Sequence, residues 1–179
     1  MKEIILIKNG ELTLKGLNRS NFEDILIKNI RRRLRSLGEF DVRKAQSTIY
    51  IEPKSENFDF EEALERVKLI FGIAAFSRAC VCEKSMEDIL SKSAEYLKDS
   101  LSKIKTFKVE AKRSDKQFPL TSPEICREVG GKLLETNSHL KVDVHNPDLV
   151  VYVEIRDYYA YVRAEQIHGA GGLPVGTAG

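Results

Sequence analysis

Apolar residues in this chain switch repeatedly between two spacings, and the order of those switches restricts the fold more than any single motif does. Lys2–Lys8 (KEIILIK) is a short isoleucine-rich run without polar alternation, as a buried strand requires. Ser20-Asn21-Phe22-Glu23 then has the S-x-x-E spacing of a capping box. It opens a run in which Phe22, Ile25, Leu26, Ile30, Leu34 and Leu37 recur at the helical period, and Gly38 closes it. Phe40–Arg43 and Thr48–Glu52 are short strands about a polar turn. Asp59 and Glu62 repeat the helix-start signal for Phe60, Ala63, Leu64, Val67 and Ile70, and Gly72 ends that helix. Ile73–Cys82 is small and apolar enough for a buried strand. The order strand–helix–strand–strand–helix–strand is the split βαβ, ferredoxin-like arrangement.

A second α/β set follows. A helix is predicted from Ser85 through Met86, Ile89, Leu90, Leu97 and Leu101. Thr106–Arg113 alternates Phe107, Val109 and Ala111 with Lys108, Glu110 and Lys112, the period of a strand with two unlike faces. Thr121-Ser122-Pro123-Glu124 opens a helix carrying Ile125, Val129, Leu133 and Leu134. Asn146-Pro147-Asp148 marks a turn, and Leu149–Ile155 with Tyr159–Val162 forms a hairpin about Arg156-Asp157. The class is therefore α+β: a ferredoxin-like domain over 1–75, an α/β domain over 76–166 whose start could be set as early as residue 60, and a glycine-rich linker over 167–179. Gly130-Gly131 costs about 1 kcal/mol per glycine relative to alanine, so a neighbouring strand is expected to approach the helix there.

Composition limits the chemistry. With 179 residues, 42% hydrophobic and 31% charged, the chain can bury a core without disulfide or metal staples. No run approaches the ~20 apolar residues of a membrane span. Glu3 and the short apolar run argue against a secretory leader, and three cysteines fit a reducing compartment, so a cytoplasmic protein without membrane association is expected. His139, His145 and His168 fall in or beside loops. Cys80 and Cys82 lack a second pair for zinc, and Cys126 has Arg127 beside it but no base. No nucleophile–base–orienter set can be assembled, so no catalytic and no metal residues are expected.

Charge is segregated, although the net value is only +2. Lys28, Arg31, Arg32 and Arg35 follow i, i+3, i+4, i+7 and form one helix stripe, either a solvated face or a phosphate contact. Lys112, Arg113 and Lys116 gather at a strand end and the loop beyond it, with Phe118 as an aromatic able to stack an unpaired base. The helix start at Ser122 offers backbone N–H groups to phosphate, and Arg127 and Lys132 lie further along the same helix. These residues together predict an RNA site.

Three segments carry a resemblance to a known family. Gly10–Glu23 (GELTLKGLNRSNFE) resembles the opening of the tRNA 4-thiouridine synthetase family (ThiI, tRNA sulfurtransferase). FKVEAKRSDKQFPLTSPEICREVGGKL from Phe107 and VDVHNPDLVVYVEIRDYYAYV from Val142 resemble a THUMP RNA-binding domain. The tail GGLPVGTAG is similar to the family's linker into a PP-loop ATP-binding domain. The resemblance implies an N-terminal ferredoxin-like domain followed by an α/β THUMP domain that holds tRNA, including its 3′ CCA end. It implies that the whole enzyme uses ATP with Mg, and sulfur from a cysteine-desulfurase persulfide donor, to make 4-thiouridine in tRNA, and that it serves thiamine thiazole synthesis. A homodimer is compatible with it. The family's SGGxDS-type loop and rhodanese-like cysteine are not in this sequence, so no cofactor site is expected in this chain and it is expected to be inactive alone. Two alternatives stay open: the THUMP part of another tRNA-modifying enzyme such as a methyltransferase, and a dimerisation module without RNA affinity.

Overall fold

A computed structural model describes residues 1–8, 19–45, 48–71 and 76–167, with the backbone alone for 19–22 and 71. Two compact units divide the chain, Glu3–Arg78 and Met1–Lys2 with Ala79–Gly179. The Glu3–Arg78 unit runs β1 (Glu3–Lys8), α1 (Arg19–Leu34), a 3-10 turn (Arg35–Leu37), β2 (Phe40–Ala45), β3 (Thr48–Pro53), α2 (Phe60–Phe71) and the first residues of β4 (Phe76–Cys82). Its strands lie in the order β2-β3-β1-β4, with β3 antiparallel to both β1 and β2, which is the ferredoxin-like sheet. Ile5, Ile7, Ile49 and Ile51 meet Leu26, Ile30 and Leu34 of α1 and Ala63, Leu64 and Val67 of α2. Ile4 and Leu6 are buried as well, which explains why β1 lacks polar alternation.

Ion pairs and caps fasten these elements. Arg78 makes two bonds of 2.8 Å to Glu3 and one of 3.0 Å to Glu61, with its guanidinium over the Phe60 ring. Arg66 donates to the Arg33 carbonyl at 2.7 Å and to Ser36 Oγ at 3.1 Å, satisfying acceptors at the end of α1. Asp59 Oδ1 accepts the Glu62 N–H at 3.1 Å, the expected N-cap of α2. The start of α1 differs from expectation: Arg19 and Ser20 are already helical, so Ser20 is not the cap. Ile25, expected on the apolar face, is 54% exposed. The closure at Gly72 lies outside the described residues.

The second unit contains the end of β4, α3 (Met86–Tyr96), α4 (Lys98–Ser102), β5 (Thr106–Arg113), α5 (Ser122–Thr136), β6 (Lys141–Val142), β7 (Leu149–Ile155) and β8 (Ala160–Gln166). The order is β4-β8-β7-β5-β6; β7 and β8 are antiparallel, and β5 is parallel to both β6 and β7. Ser85 caps α3 through the Asp88 N–H at 3.2 Å, but the single helix expected to reach Leu101 breaks at Leu97. The core joins Phe107, Val151, Val153 and Val162 of the sheet to Ile89, Ile125, Val129 and Leu133 of the helices. Cys80 and Cys82 are buried free thiols in that core. Their mutual hydrogen bond and burial push the Cys82 thiol upward. Burial likewise raises the Cys126 thiol, opposite to activation by Arg127.

Glycine positions separate two physical cases. Gly38 has φ +132°, and a Cβ there would stand 2.9 Å from the Phe58 Cα. At Gly130 a Cβ would meet only Val109 Cγ2 at 3.9 Å, and at Gly131 it would meet nothing within 4 Å. The close strand approach expected for this pair is therefore absent. Gly131→Ala should raise stability by about 1 kcal/mol and melting by a few degrees, because alanine restricts the unfolded chain and fits the helix. Gly38→Ala should lower stability by at least about 1 kcal/mol, from strain and the backbone clash. Thermal melts of the two single variants check both signs.

Candidate nucleic-acid interface

Strand register places four chain segments at one end of the second unit's sheet. Arg113 ends β5 opposite Ile155 of the parallel β7, Ile155 pairs with Ala160 at the start of β8, and Ala160 pairs with Cys82 at the end of β4. The segment after Cys82, the loop 114–121 into α5 and the hairpin turn 156–159 all leave from this end. Carboxyl ends of parallel strands beside a helix N-terminus are a common location for ligand sites in α/β sheets.

The loop 114–121 is fastened at several points. Ser114 donates both its N–H, at 2.9 Å, and its Oγ–H, at 3.1 Å, to the Ile155 carbonyl. Lys84 Nζ pairs with the Asp115 carboxylate and donates to the Asp157 carbonyl at 2.9 Å, so one ammonium joins this loop to the hairpin turn. Asp115 Oδ1 accepts the Gln117 N–H at 2.9 Å. Arg113 Nη1 donates to the Phe118 carbonyl at 3.1 Å, and its Nε is buried without a hydrogen-bond partner among the described residues.

Two of the expected RNA contacts take other roles. Phe118 is only 6% exposed and packs in the core, so its ring anchors the loop and has no face for a base. At the α5 start, the Glu124 and Ile125 N–H groups are taken up by Thr121. Thr121 Oγ1 accepts the Glu124 N–H at 3.3 Å, and Glu124 Oε1 accepts the Thr121 N–H at 2.9 Å. Pro123 has no N–H, and the Ile125 N–H bonds Thr121 O. A carboxylate thus stands where the phosphate was expected beside Ser122, and the bonds from Thr121 hold the Glu124 carboxyl below its ordinary range.

The remaining cations divide by place. Lys112, Lys116 and Arg127 are exposed, and among the described residues none is within ion-pair distance of a carboxylate. Lys132 stands ten residues beyond Ser122, about 15 Å along α5. There it lines a groove of about 680 Å³ with Leu90, Ala94 and Lys98, apart from the loop. In the Glu3–Arg78 unit, Lys28, Arg31 and Arg32 are exposed on α1, whereas Arg35 lies past its end in the 3-10 turn and leaves the stripe. Arg31 lies 3.5 Å from the Val42 carbonyl and Arg32 3.3 Å from Asn29 Oδ1, but none of these four contacts a carboxylate among the described residues. Sequence reasoning missed Lys84 and Tyr158. Tyr158 is 81% exposed at the tip of the hairpin turn, and only the turn signal at Arg156-Asp157 hinted at its position.

His139 Nε2 lies 3.0 Å from the Leu101 carbonyl, and no group of three or more His, Cys, Asp or Glu among the described residues could hold a metal ion. No helix among them is long and apolar enough to cross a membrane. The Gly10–Asn18 part of the opening motif, His168 and the GGLPVGTAG tail lie outside the described residues.

Fold and sequence now define a class. Residues 4–77 match the ThiI ferredoxin-like domain and residues 83–164 the THUMP domain, so this is an α+β chain built of those two modules in that order. It is 45% identical over 181 residues to a "Probable tRNA sulfurtransferase" of Acetivibrio thermocellus, covering 100% of this chain and 46% of the relative. A solved 4-thiouridine synthetase–RNA complex with bound ATP superimposes with a TM-score of 0.74 at 33% identity, over 100% of this chain and 45% of that one. A Pyrococcus horikoshii Ot3 protein gives 0.73 at 32%, over 99% and 58%. The chain thus consists of a ThiI ferredoxin-like domain and a THUMP domain, is similar over its whole length to proteins named tRNA sulfurtransferase, and spans about half the length of the curated relatives it matches.

The Lys84–Asp115 tie has a pH signature. Lys84 and the Gln117 N–H hold the Asp115 carboxyl below its ordinary value. A depressed folded-state value means that its stabilisation is present above the unfolded value of about 3.9 and is lost as pH falls through the folded one. The parent should therefore lose more melting temperature between about pH 6 and pH 3 than Asp115→Asn does. Melts of both proteins across that range measure the difference; the other acids titrate alike in the two and cancel.

Proposed function

We propose that this chain is the RNA-holding portion of a tRNA sulfurtransferase and that its THUMP domain takes the single-stranded 3′ CCA end of tRNA. The observation that carries the reading is Lys112 and Lys116, exposed at the ligand-prone end of the sheet with no carboxylate within ion-pair distance among the described residues, together with Arg127, exposed on α5 beside Glu124. Arg113 supplies further donors at its half-buried guanidinium. The cationic face of α1, Lys28, Arg31 and Arg32, is a second contact, toward the duplex of the acceptor arm, where phosphates are read without base specificity.

The names of the relatives support a wider proposal for the whole protein: ATP-dependent formation of 4-thiouridine in tRNA, with Mg accompanying the nucleotide in a further domain. Sulfur would come from a cysteine-desulfurase persulfide, with a second outlet in thiamine thiazole synthesis. A cytoplasmic setting and a homodimer belong to the same proposal.

Phosphate binding by fixed cations has a counterion signature. Replacing Lys112, Lys116 and Arg127 with alanine should weaken tRNA binding about 10-fold or more, and flatten the log–log salt slope by about 0.7 for each lost single-strand contact. Removing the CCA end should weaken the parent more than the triple variant. Filter binding at several salt concentrations, with intact and trimmed tRNA, measures both. An unchanged slope and equal trimming losses refute the placement. Arg31→Gln with Arg32→Gln should lower affinity alike for intact and trimmed tRNA.

A further inference from the structure

We infer that Tyr158 is a base-stacking platform of the RNA site, the role that Phe118 cannot fill. The inference rests on the RNA-binding reading above and adds to it a residue and a mode of contact. Tyr158 is 81% exposed, and among the described residues no hydrogen bond or ring contact engages its side chain. A large aromatic left in water at the tip of a turn forgoes burial that would otherwise be favourable. Its backbone is held: the Arg156 N–H bonds the Tyr159 carbonyl at 3.0 Å and closes the turn over Asp157 and Tyr158. The ring therefore projects from a fixed base.

What it would stack follows from its neighbours. Lys84 Nζ bonds the Asp115 carboxylate and the Asp157 carbonyl, the groups of the two residues immediately before Lys116 and Tyr158. The second tie, from Ser114 to the Ile155 carbonyl, fixes the same two segments against each other. An exposed cation and an exposed aromatic thus stand on two neighbouring segments joined by ion pair and hydrogen bond. That is the arrangement by which proteins hold single strands, with cations along the backbone and an aromatic face against an unpaired base. Lys84 itself spends its charge on Asp115 and acts as a positioning residue.

The sequence contains no tryptophan, so Tyr158→Trp places one indole fluorophore at the tip. Titration of that variant with a short single-stranded RNA ending in CCA should quench the indole, and a blunt RNA duplex of equal length should quench it much less. Tyr158→Ala should lose about 5- to 150-fold in affinity for the single strand, and Tyr158→Phe should stay within about two-fold of the parent. A mobility shift run in parallel reports complex formation independently of the fluorophore. If Tyr158→Ala binds as the parent does, or the indole signal is unchanged while the shift records a saturated complex, the stacking role is wrong and the RNA-binding reading stands. If the parent itself forms no complex with either RNA, that reading falls and the stacking role with it.

Discussion

Parallel strands cannot be joined by a tight turn, and the geometry of the second unit depends on that constraint. β5 and β7 run side by side in the same direction, so the chain must leave one end of β5, cross over as α5 and return before β7. The crossover brings the end of β5, the end of β7 and the start of α5 to one edge. The antiparallel return of β8 and its pairing with β4 add Tyr158 and Lys84 to the same edge. Residues far apart in sequence become neighbours because of backbone pairing, before any side chain is chosen.

Once the edge is assembled, the loop 114–121 has to be held there. Burying Phe118 contributes the nonpolar part, on the order of 2 kcal/mol for an aromatic of its size. The Arg113 bond to the Phe118 carbonyl and the two Ser114 bonds satisfy polar groups that burial would otherwise strand. The exposed cations around the loop, Lys112, Lys116 and Arg127, stand outward beside the exposed carboxylates of Glu124 and Glu128. The cations proposed to meet RNA are left over after the loop has satisfied its own needs.

Much of this architecture was readable as period and punctuation. The isoleucine run of β1, the alternation of β5, the Asp59 and Ser85 caps and the hairpin after Leu149 all express local rules that tertiary structure left intact. The site was less legible because its ambiguities are tertiary. An aromatic in an aperiodic loop reads equally as a surface ring or an anchor, and only the core under Phe118 decides. Thr121-x-x-Glu124 announces a helix start, and the same two side chains fill the place where an anion would sit. Arg35 follows helical spacing in the sequence, but the backbone tightens to a 3-10 turn before reaching it. β6 is two residues long, too short for any periodic signal. Lys84 gives no local sign at all, since its partners are Asp115 and Asp157.

The cations at this edge differ in what salt does to them. Lys84 and Asp115 are 21% and 25% exposed, so their pair is only partly in contact with counterions. Lys112, Lys116 and Arg127 stand in solvent, where charges separated by more than about 8 Å are largely screened at physiological ionic strength. Rising salt therefore weakens attraction to phosphate well before it loosens the frame that orients the loop and the hairpin turn. A stacking contact depends on orientation and on apolar area more than on charge, so its share of the binding free energy grows as salt rises. Within one end of one sheet, the internal pair preserves geometry; in the proposed complex the outward cations would set how strongly a strand is drawn in, and the exposed ring would be the component least affected by the ions between them.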